Sequence, residues 1–265
     1  MHEIANRRGD PARPAKTLVL ILLTSAAAPA FPGGSGRYSL DPALDTAVAL
    51  PGAAAFLAGE LLTRRTPATA DPFGWPDEGW TATYDPDLDR IGDVTSVAAV
   101  AALPLLLDAL TPREVRTIAA MYAECAMWTM GLKNLLKAAV PRPRPYMLRA
   151  DTPADLLGDD ERMQSFPSGH TAFAFMTASF LATVYRPESG SPAAGILVGA
   201  SAFGLAGATA VLRVASGTHY LGDVLAGALL GSAAGYLVQR LHERRSEGAW
   251  AFAARPDGFS ISYAY

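Results

Sequence analysis

Long apolar stretches, separated by short polar segments, dominate this chain. The apolar positions do not alternate with the two-residue period of a half-buried strand over any sustained stretch. The pattern therefore predicts helices. The exception is the tail at 259–265, whose alternation is compatible with one short strand. Six helices are predicted, at residues 46–59, 94–110, 112–140, 168–186, 192–212 and 220–240.

Glycine and uncharged runs indicate how these helices pack and where they lie. Gly227, Gly231 and Gly235 fall four residues apart and therefore share one face of the sixth helix, a spacing common in close helix contacts. Residues 192–212 carry no charge and are long enough to span a bilayer, and residues 224–239 are also uncharged. The pattern therefore favours membrane contact, although an Ala-rich soluble bundle would pack in the same way.

Composition supports the membrane interpretation and argues against one class of partner. Of the 265 residues, 50% are hydrophobic and 18% are charged, whereas soluble domains carry about 25% charged residues. The formal net charge of −3 gives no support to nucleic-acid binding.

The N-terminal segment resembles an export signal. Basic residues at positions 7, 8, 13 and 16 precede a short apolar run at 18–23 and a small-x-small triplet at 28–30. The apolar run is shorter than the roughly 20 residues that a span requires, which favours a cleaved signal over an N-terminal anchor. The chain is accordingly divided into an export signal or anchor at 1–30, a main helical domain at 31–245 and a C-terminal tail at 246–265.

Three polar clusters stand at the ends of predicted helices. In an up-and-down bundle, the end of the third helix, the start of the fourth, the end of the fifth and the start of the sixth lie at one end. Side chains that are distant in sequence are therefore predicted to converge there. The candidate site residues are Lys137, Arg144, Ser168, Gly169, His170, Arg213, His219 and Asp223.

The first chemical property of this set is its capacity to bind phosphate. Arg144 and Arg213 offer forked donors and Lys137 offers a point charge. Ser168 would present its hydroxyl and nearby backbone N–H groups at a helix start, and Gly169 lets the backbone approach closely. Preorganised positive donors of this kind supply most of the stabilisation in phosphoryl transfer.

The histidines suggest a division of labour. His219 and Asp223 are four residues apart on one helix, so the carboxylate can fix the imidazole tautomer and free the other nitrogen to attack phosphorus. His170 is suited to protonate the leaving oxygen. Each residue alone also has a simpler explanation, as a helix cap or a surface hydrogen bond. In the simpler explanation, Lys137 together with Lys133 is a solvated helix end. Arg142 has the same chance of being solvated and is left outside the site.

The spacing of the clusters resembles the tripartite signature of the type 2 phosphatidic acid phosphatase (PAP2) superfamily. That superfamily also contains class A acid phosphatases and vanadium haloperoxidases. Six residues separate Lys137 from Arg144-Pro145, and five and three residues separate Arg213, His219 and Asp223. The match covers roughly residues 90–240. It implies an all-α, six-helix bundle of the PAP2/haloperoxidase type, embedded in a membrane, that works without a metal or other cofactor.

The resemblance also implies a role for each candidate. His219 would form a phosphohistidine, Asp223 would orient it, and His170 would act first as general acid and then as base for water. Leu212 stands where the family usually has serine, so one hydrogen bond to the phosphate side is expected to be missing. The implied phosphate-binding residues are Lys137, Arg144, Ser168, Gly169 and Arg213.

The expected activity is hydrolysis of a phosphomonoester or diphosphate, carried by a lipid, at a bacterial-type cell membrane. The alternative is a soluble periplasmic acid phosphatase of broad specificity; a haloperoxidase and a catalytically silent membrane scaffold have less support.

The active end is expected to face the periplasm or exterior, because basic residues gather at the opposite end. A cleaved signal followed by six spans would reverse this orientation, so these two expectations conflict. The basic residues are Arg113, Arg116, Arg186, Arg240, Arg244 and Arg245.

Overall fold

The computed structural model is an all-α bundle, as predicted. It describes residues 37–63, 75–79, 82–101, 112–158, 161–185, 192–243, 250–255 and 258–263. The predicted export segment and positions 102–110 of the second predicted helix lie outside these residues. Within them, the six long helices are α1 (Pro42–Thr63), α2 (Pro86–Ala101), α3 (Pro112–Ala139), α4 (Gly169–Val184), α5 (Pro192–Ala215) and α6 (Leu221–His242).

The first two helices begin earlier than predicted. α2 was expected to start at residue 94 but starts at Pro86, so its first turns are a charged stretch that lies before the predicted helix. Asp85 caps this helix by accepting two backbone N–H groups at 3.0 Å, and Asp41 caps α1 in the same way at 2.8 and 3.1 Å. Aspartate as a cap and proline at the first helical position are a favourable start, which outweighs the polar appearance of the segment.

The connection between α3 and α4 and the C-terminal tail add short elements. A 3₁₀ turn covers Pro145–Leu148 and a single helical turn covers Ala154–Leu157. The tail was predicted to contain one strand. It forms a two-stranded antiparallel hairpin instead, in which β1 (Trp250–Arg255) pairs with β2 (Gly258–Tyr263). An isolated strand leaves its backbone groups unpaired, and pairing with a neighbouring segment satisfies them.

The closest helix contact is that between α4 and α6. The predicted glycine face of α6 packs directly on the backbone of α4: a Cβ atom placed on Gly227 would lie 2.5 Å from the carbonyl oxygen of Ser168, and one on Gly231 would lie 1.9 Å from that of Ala172. Only glycine permits this approach. The spacing therefore fixes α6 beside the start of α4, where two of the polar clusters lie.

The helices form a buried core and also carry exposed apolar faces, and α6 contributes to both. Met121, Cys125, Met176, Phe180 and Val238 form a buried cluster between α3, α4 and α6. By contrast, α1, α5 and α6 are long and apolar enough to cross a membrane. Large apolar side chains on these helices are exposed, so a lipid environment would cover them. The structure therefore supports membrane association. The most exposed examples are Ile196, Leu197, Val211 and Leu229.

Candidate active site

A cavity of about 470 Å³ opens at the end of the bundle where α3 ends and α4 begins. Five of the eight candidate residues line it, which are Lys137, Arg144, Gly169, His170 and His219. The other three, Ser168, Arg213 and Asp223, are buried and are absent from its lining. The three clusters thus meet at one end of the bundle. Five of their residues line the cavity, and the other three are buried outside its lining.

His219 lies in the turn between α5 and α6. Its side chain is almost fully buried, and its Nδ1 atom lies 3.6 Å from Asp223 Oδ2, within ion-pair range but longer than a hydrogen bond. Burial lowers the pKa of His219 to about 3, although Asp223 opposes the shift. The imidazole is therefore neutral near pH 7 and can act as a nucleophile. Gly217, at a φ of 70°, makes the turn possible.

Asp223 is held by three donors in the first turn of α6. Its Oδ2 atom accepts hydrogen bonds from Ser165 Oγ at 2.5 Å and from the backbone N–H of Tyr220 at 2.9 Å. Its Oδ1 atom accepts a hydrogen bond from Arg142 Nη1 at 2.7 Å. The carboxylate is completely buried, so these contacts compensate its charge and fix its orientation toward His219.

The interpretation of Arg142 as a solvated residue was wrong. Its side chain is fully buried and bridges two carboxylates, since Nη2 lies 2.6 Å from Asp77 Oδ1 while Nη1 contacts Asp223. The guanidinium also lies over the rings of Tyr220 and Trp75, at 3.8 and 4.5 Å from their centroids. Local sequence could not reveal this role, because the two carboxylates come from positions 65 and 81 residues away.

Arg213 and His170 share a carboxylate of α2 that sequence reasoning missed. Arg213 Nη2 lies 3.0 Å from Asp93 Oδ1, and His170 Nε2 lies 3.1 Å from the same atom. Arg213 also pairs with Asp89, from Nη1 to the carboxylate at 2.8 Å and from Nη2 to the backbone carbonyl. Both aspartates belong to the first turns of α2, which precede the predicted start of this helix at residue 94. Arg213 is thus engaged by α2 rather than exposed to the cavity.

The cationic wall of the cavity comes from α3 and the segment after it. Lys137 Nζ donates to the carbonyl of Gln164 at 2.7 Å, and burial followed by the charges of Lys133 and Arg144 lowers the pKa of Lys137 to about 7. Lys133, which was not among the candidate residues, lines the cavity one helical turn before Lys137. Positive charge is therefore crowded here, and an anion would relieve the repulsion.

Glu161 is an acidic side chain within this cationic wall. Its Oε2 atom lies 2.6 Å from Arg144 Nη2, and its carbonyl accepts a hydrogen bond from Arg144 Nε at 3.1 Å. Although burial opposes the shift, Lys137, Arg144 and Lys133 lower the pKa of Glu161 to about 2. The carboxylate is thus ionised near pH 7, and it occupies one of the donors that a phosphate would use.

Ser168 and Gly169 form the start of α4. Ser168 caps the helix, with its Oγ atom 3.0 Å from Thr171 Oγ1, and its backbone N–H donates to the carbonyl of Asp223 at 3.0 Å. Gly169 lines the cavity, and a Cβ atom there would lie 3.0 Å from Lys133 Cδ. The backbone at this helix start is therefore open to the cavity, whereas the Ser168 hydroxyl caps α4.

Another part of the cavity lining is apolar. Val97, Val100 and Ala101 from α2 and Phe173 from α4 supply it, and Val97 is 65% exposed. A single cavity thus joins a cationic surface around His219 to a hydrocarbon surface. This arrangement suits a ligand in which an anionic group is attached to an apolar chain.

One family model and two solved structures match this chain. Residues 118–247 match the family model of the PAP2 superfamily, a range that includes all eight candidate residues. The crystal structure of LpxE from Aquifex aeolicus is 26% identical over 59% of this chain and 87% of that chain, with a TM-score of 0.45. A transmembrane PAP2 type phosphatidylglycerolphosphate phosphatase from Bacillus subtilis is 20% identical over 86% and 95%, with a TM-score of 0.43. A search of curated proteins gave no match.

Proposed function

Since this chain belongs to the PAP2 superfamily, we propose that it is a membrane phosphatase that hydrolyses a lipid phosphate or diphosphate through a phosphohistidine at His219. The observation that carries the proposal is the two-sided cavity, in which His219 lies among cations while α2 supplies an apolar wall. The cations would bind the phosphate, and the apolar wall would accommodate the start of the lipid chain.

The proposed first step forms a bond between the imidazole nitrogen of His219 and phosphorus while the bond from phosphorus to the leaving oxygen breaks. Asp223 stabilises the imidazolium character that develops on His219 and keeps the ring in place. His170 donates a proton to the leaving oxygen, so the lipid leaves as an alcohol or as a shorter phosphate. Burial and the charge of Arg213 lower the pKa of His170 to about 4, so this role requires the bound anionic phosphate to raise that pKa.

The second step returns the enzyme to its starting state. Water attacks the phosphorus of the phosphohistidine, and His170, now neutral, accepts a proton from that water. The bond from nitrogen to phosphorus breaks, inorganic phosphate leaves, and His219 is again a neutral imidazole. His170 carries the proton for the next cycle, so atoms and charge balance over the two steps.

Charge stabilisation is assigned to the cationic wall. Lys133, Lys137 and Arg144 would surround the phosphoryl oxygens, with the backbone N–H of Gly169 at the start of α4. Ser168 supports this helix start. Arg213 is proposed to act through Asp93, which it shares with His170 at 3.0 and 3.1 Å. It would thereby position the proton carrier.

The positions of basic residues indicate which side of the membrane the cavity faces. His219 lies at the start of α6, whereas Arg240 lies in its last turn and Arg116 lies near the start of α3, so both arginines are at the end opposite the cavity. Positive residues favour the cytoplasmic side. We therefore propose that the cavity opens on the periplasmic or exterior face. The assignment of residues 1–30 as an export signal or anchor stays a prediction, as do the limits of the 31–245 domain and the 246–265 tail.

The test is phosphate release from detergent-solubilised protein with phosphatidate, phosphatidylglycerophosphate, undecaprenyl diphosphate and a small soluble ester. His219→Ala should abolish release from every substrate, since it removes the nucleophile. Phe173→Ala should raise KM for the lipids and leave the soluble ester unchanged. Turnover by the His219 variant would contradict the mechanism, and preference of the wild type for the soluble ester would contradict the lipid assignment.

A further inference from the structure

A second cluster of titratable side chains lies far from the cavity. It combines Asp45 of α1, Glu124 of α3 and His242 of α6. His219 precedes α6 and His242 ends it, so the 22 residues of this helix separate the two sites by roughly 33 Å at about 1.5 Å per residue. The cluster therefore belongs to the opposite end of the bundle and has no part in the proposed reaction.

The cluster is buried and carries more negative than positive groups. The side chain of His242 is fully buried and that of Glu124 is 6% exposed, whereas Asp45 retains 20% exposure. Within the described part of the chain, Glu124 Oε2 has no hydrogen-bond partner. A buried carboxylate oxygen without a donor is costly unless a proton or a cation compensates it.

The imidazole of His242 is oriented in a way that calls for a cation. Its Nδ1 atom lies 2.9 Å from the carbonyl oxygen of Val238, and because a carbonyl can only accept, Nδ1 carries the ring proton. Nε2 then faces both acids, at 3.0 Å from Asp45 Oδ1 and 3.3 Å from Glu124 Oε2. In the neutral ring this directs a lone pair at two carboxylate oxygens, a repulsion that is removed either by a second ring proton or by a positive ion between them.

We propose that Asp45, Glu124 and His242 bind a structural zinc ion that ties α1 to α3 and α6. A histidine whose second ring N–H donates to a backbone carbonyl is a usual arrangement of a metal-bound imidazole. Zinc bonds of about 2.0–2.1 Å in tetrahedral geometry place neighbouring ligand atoms about 3.3 Å apart. The two separations at His242 match that edge, and all three ligand atoms lie within 4.8 Å of one another.

The identity of the ion follows from the ligand types. Imidazole nitrogen favours zinc over magnesium or calcium, which prefer all-oxygen sites with more ligands. The partial exposure of Asp45 leaves a route for the ion and for a water molecule in the fourth position. The ion would reinforce a junction that backbone contacts already make there, since the N–H of Ser39 donates to the carbonyl of His242 at 3.1 Å.

The test measures zinc bound by the full chain in detergent, after a chelating resin and reloading with Zn²⁺ alone. We expect about one ion per chain and a higher melting temperature in the loaded protein. Asp45→Asn and Glu124→Gln should each weaken zinc binding by about tenfold or more. Glu243→Gln is the matched control, because this carboxylate adjoins His242 but pairs with Arg37 and Arg240; it should bind zinc as the wild type does.

X-ray absorption at the zinc edge of the wild type provides a measurement that needs no variant. It should show one imidazole nitrogen and oxygen ligands, without sulfur. The proposal is overturned if the wild type retains no more zinc than Glu124→Gln, which would mean that a proton holds the cluster together. It is also overturned if the spectrum shows sulfur, which would point to Cys125. Phosphate release does not enter the test, so its outcome is independent of the proposed phosphatase.

Discussion

Arg142 provides the sharpest mutational test of how the nucleophile is held. Its guanidinium bridges Asp223 at 2.7 Å and Asp77 at 2.6 Å, and it is fully buried. Arg142→Lys keeps the charge but cannot reproduce two diverging donors or the contact with the Tyr220 ring. Asp223 would lose one of its three donors, and the His219 imidazole that it faces would lose its fixed orientation.

The expected magnitude follows from the burial of the pair. Removing one partner of a buried ion pair costs about 3–5 kcal/mol of folding free energy, so Arg142→Met is expected to fold poorly. Arg142→Lys retains a cation and should lose less stability. Its kcat should nevertheless fall by about 10²-fold, since a displacement of roughly 1 Å at a reacting group has that effect.

The assay separates kcat from KM for phosphate release, with melting temperature as the folding control. Arg142 does not line the cavity, so KM should stay near the wild-type value in Arg142→Lys. Arg144→Lys is the matched control. Arg144 lines the cavity, so this variant should mainly raise KM. A folded Arg142→Lys enzyme with a kcat within about twofold of wild type would refute the positioning role.

Three further predictions concern the pocket and the fold. Glu161→Gln frees Arg144 and should lower KM by about two- to fivefold, because a partly exposed ion pair is worth about 0–1 kcal/mol; an increased KM would show that Glu161 binds substrate. Orthovanadate should inhibit competitively, and a purely noncompetitive pattern would argue against binding at His219. Gly231→Ala should destabilise the protein by about 1–3 kcal/mol, whereas Gly204→Ala, with no heavy atom within 4 Å of its Cβ position, should not lower the melting temperature.

The part of the site that could be predicted from sequence is the part that helix order determines. His170 and His219 stand at helix ends that an up-and-down bundle brings together, and both line one cavity with Lys137 and Arg144. The spacing of Gly227 and Gly231 likewise predicted a close helix face, which packs on α4. These inferences required only periodicity and chain order.

The part that could not be predicted depends on partners supplied by other segments. Asp77 and Asp93 belong to polar stretches that precede the three clusters, and nothing in their local sequence indicates which cation they meet. Arg142 was misjudged for the same reason, since its burial depends on Asp77 and on rings that only the fold brings together. The range of α2 was also misjudged, because its charged first turns resemble a connection.

The central claim is that the phosphoryl group is transferred to His219. It can be tested by trapping the phosphohistidine intermediate. The wild type is mixed with a ³²P-labelled aryl phosphate, quenched in alkali, where phosphohistidine persists, and digested for peptide mapping. An aryl leaving group needs little protonation, so His170→Ala should still form the intermediate and accumulate it. The account predicts label on the peptide that contains His219, and none in His219→Ala. Label on another residue, or equal label in His219→Ala, would contradict it.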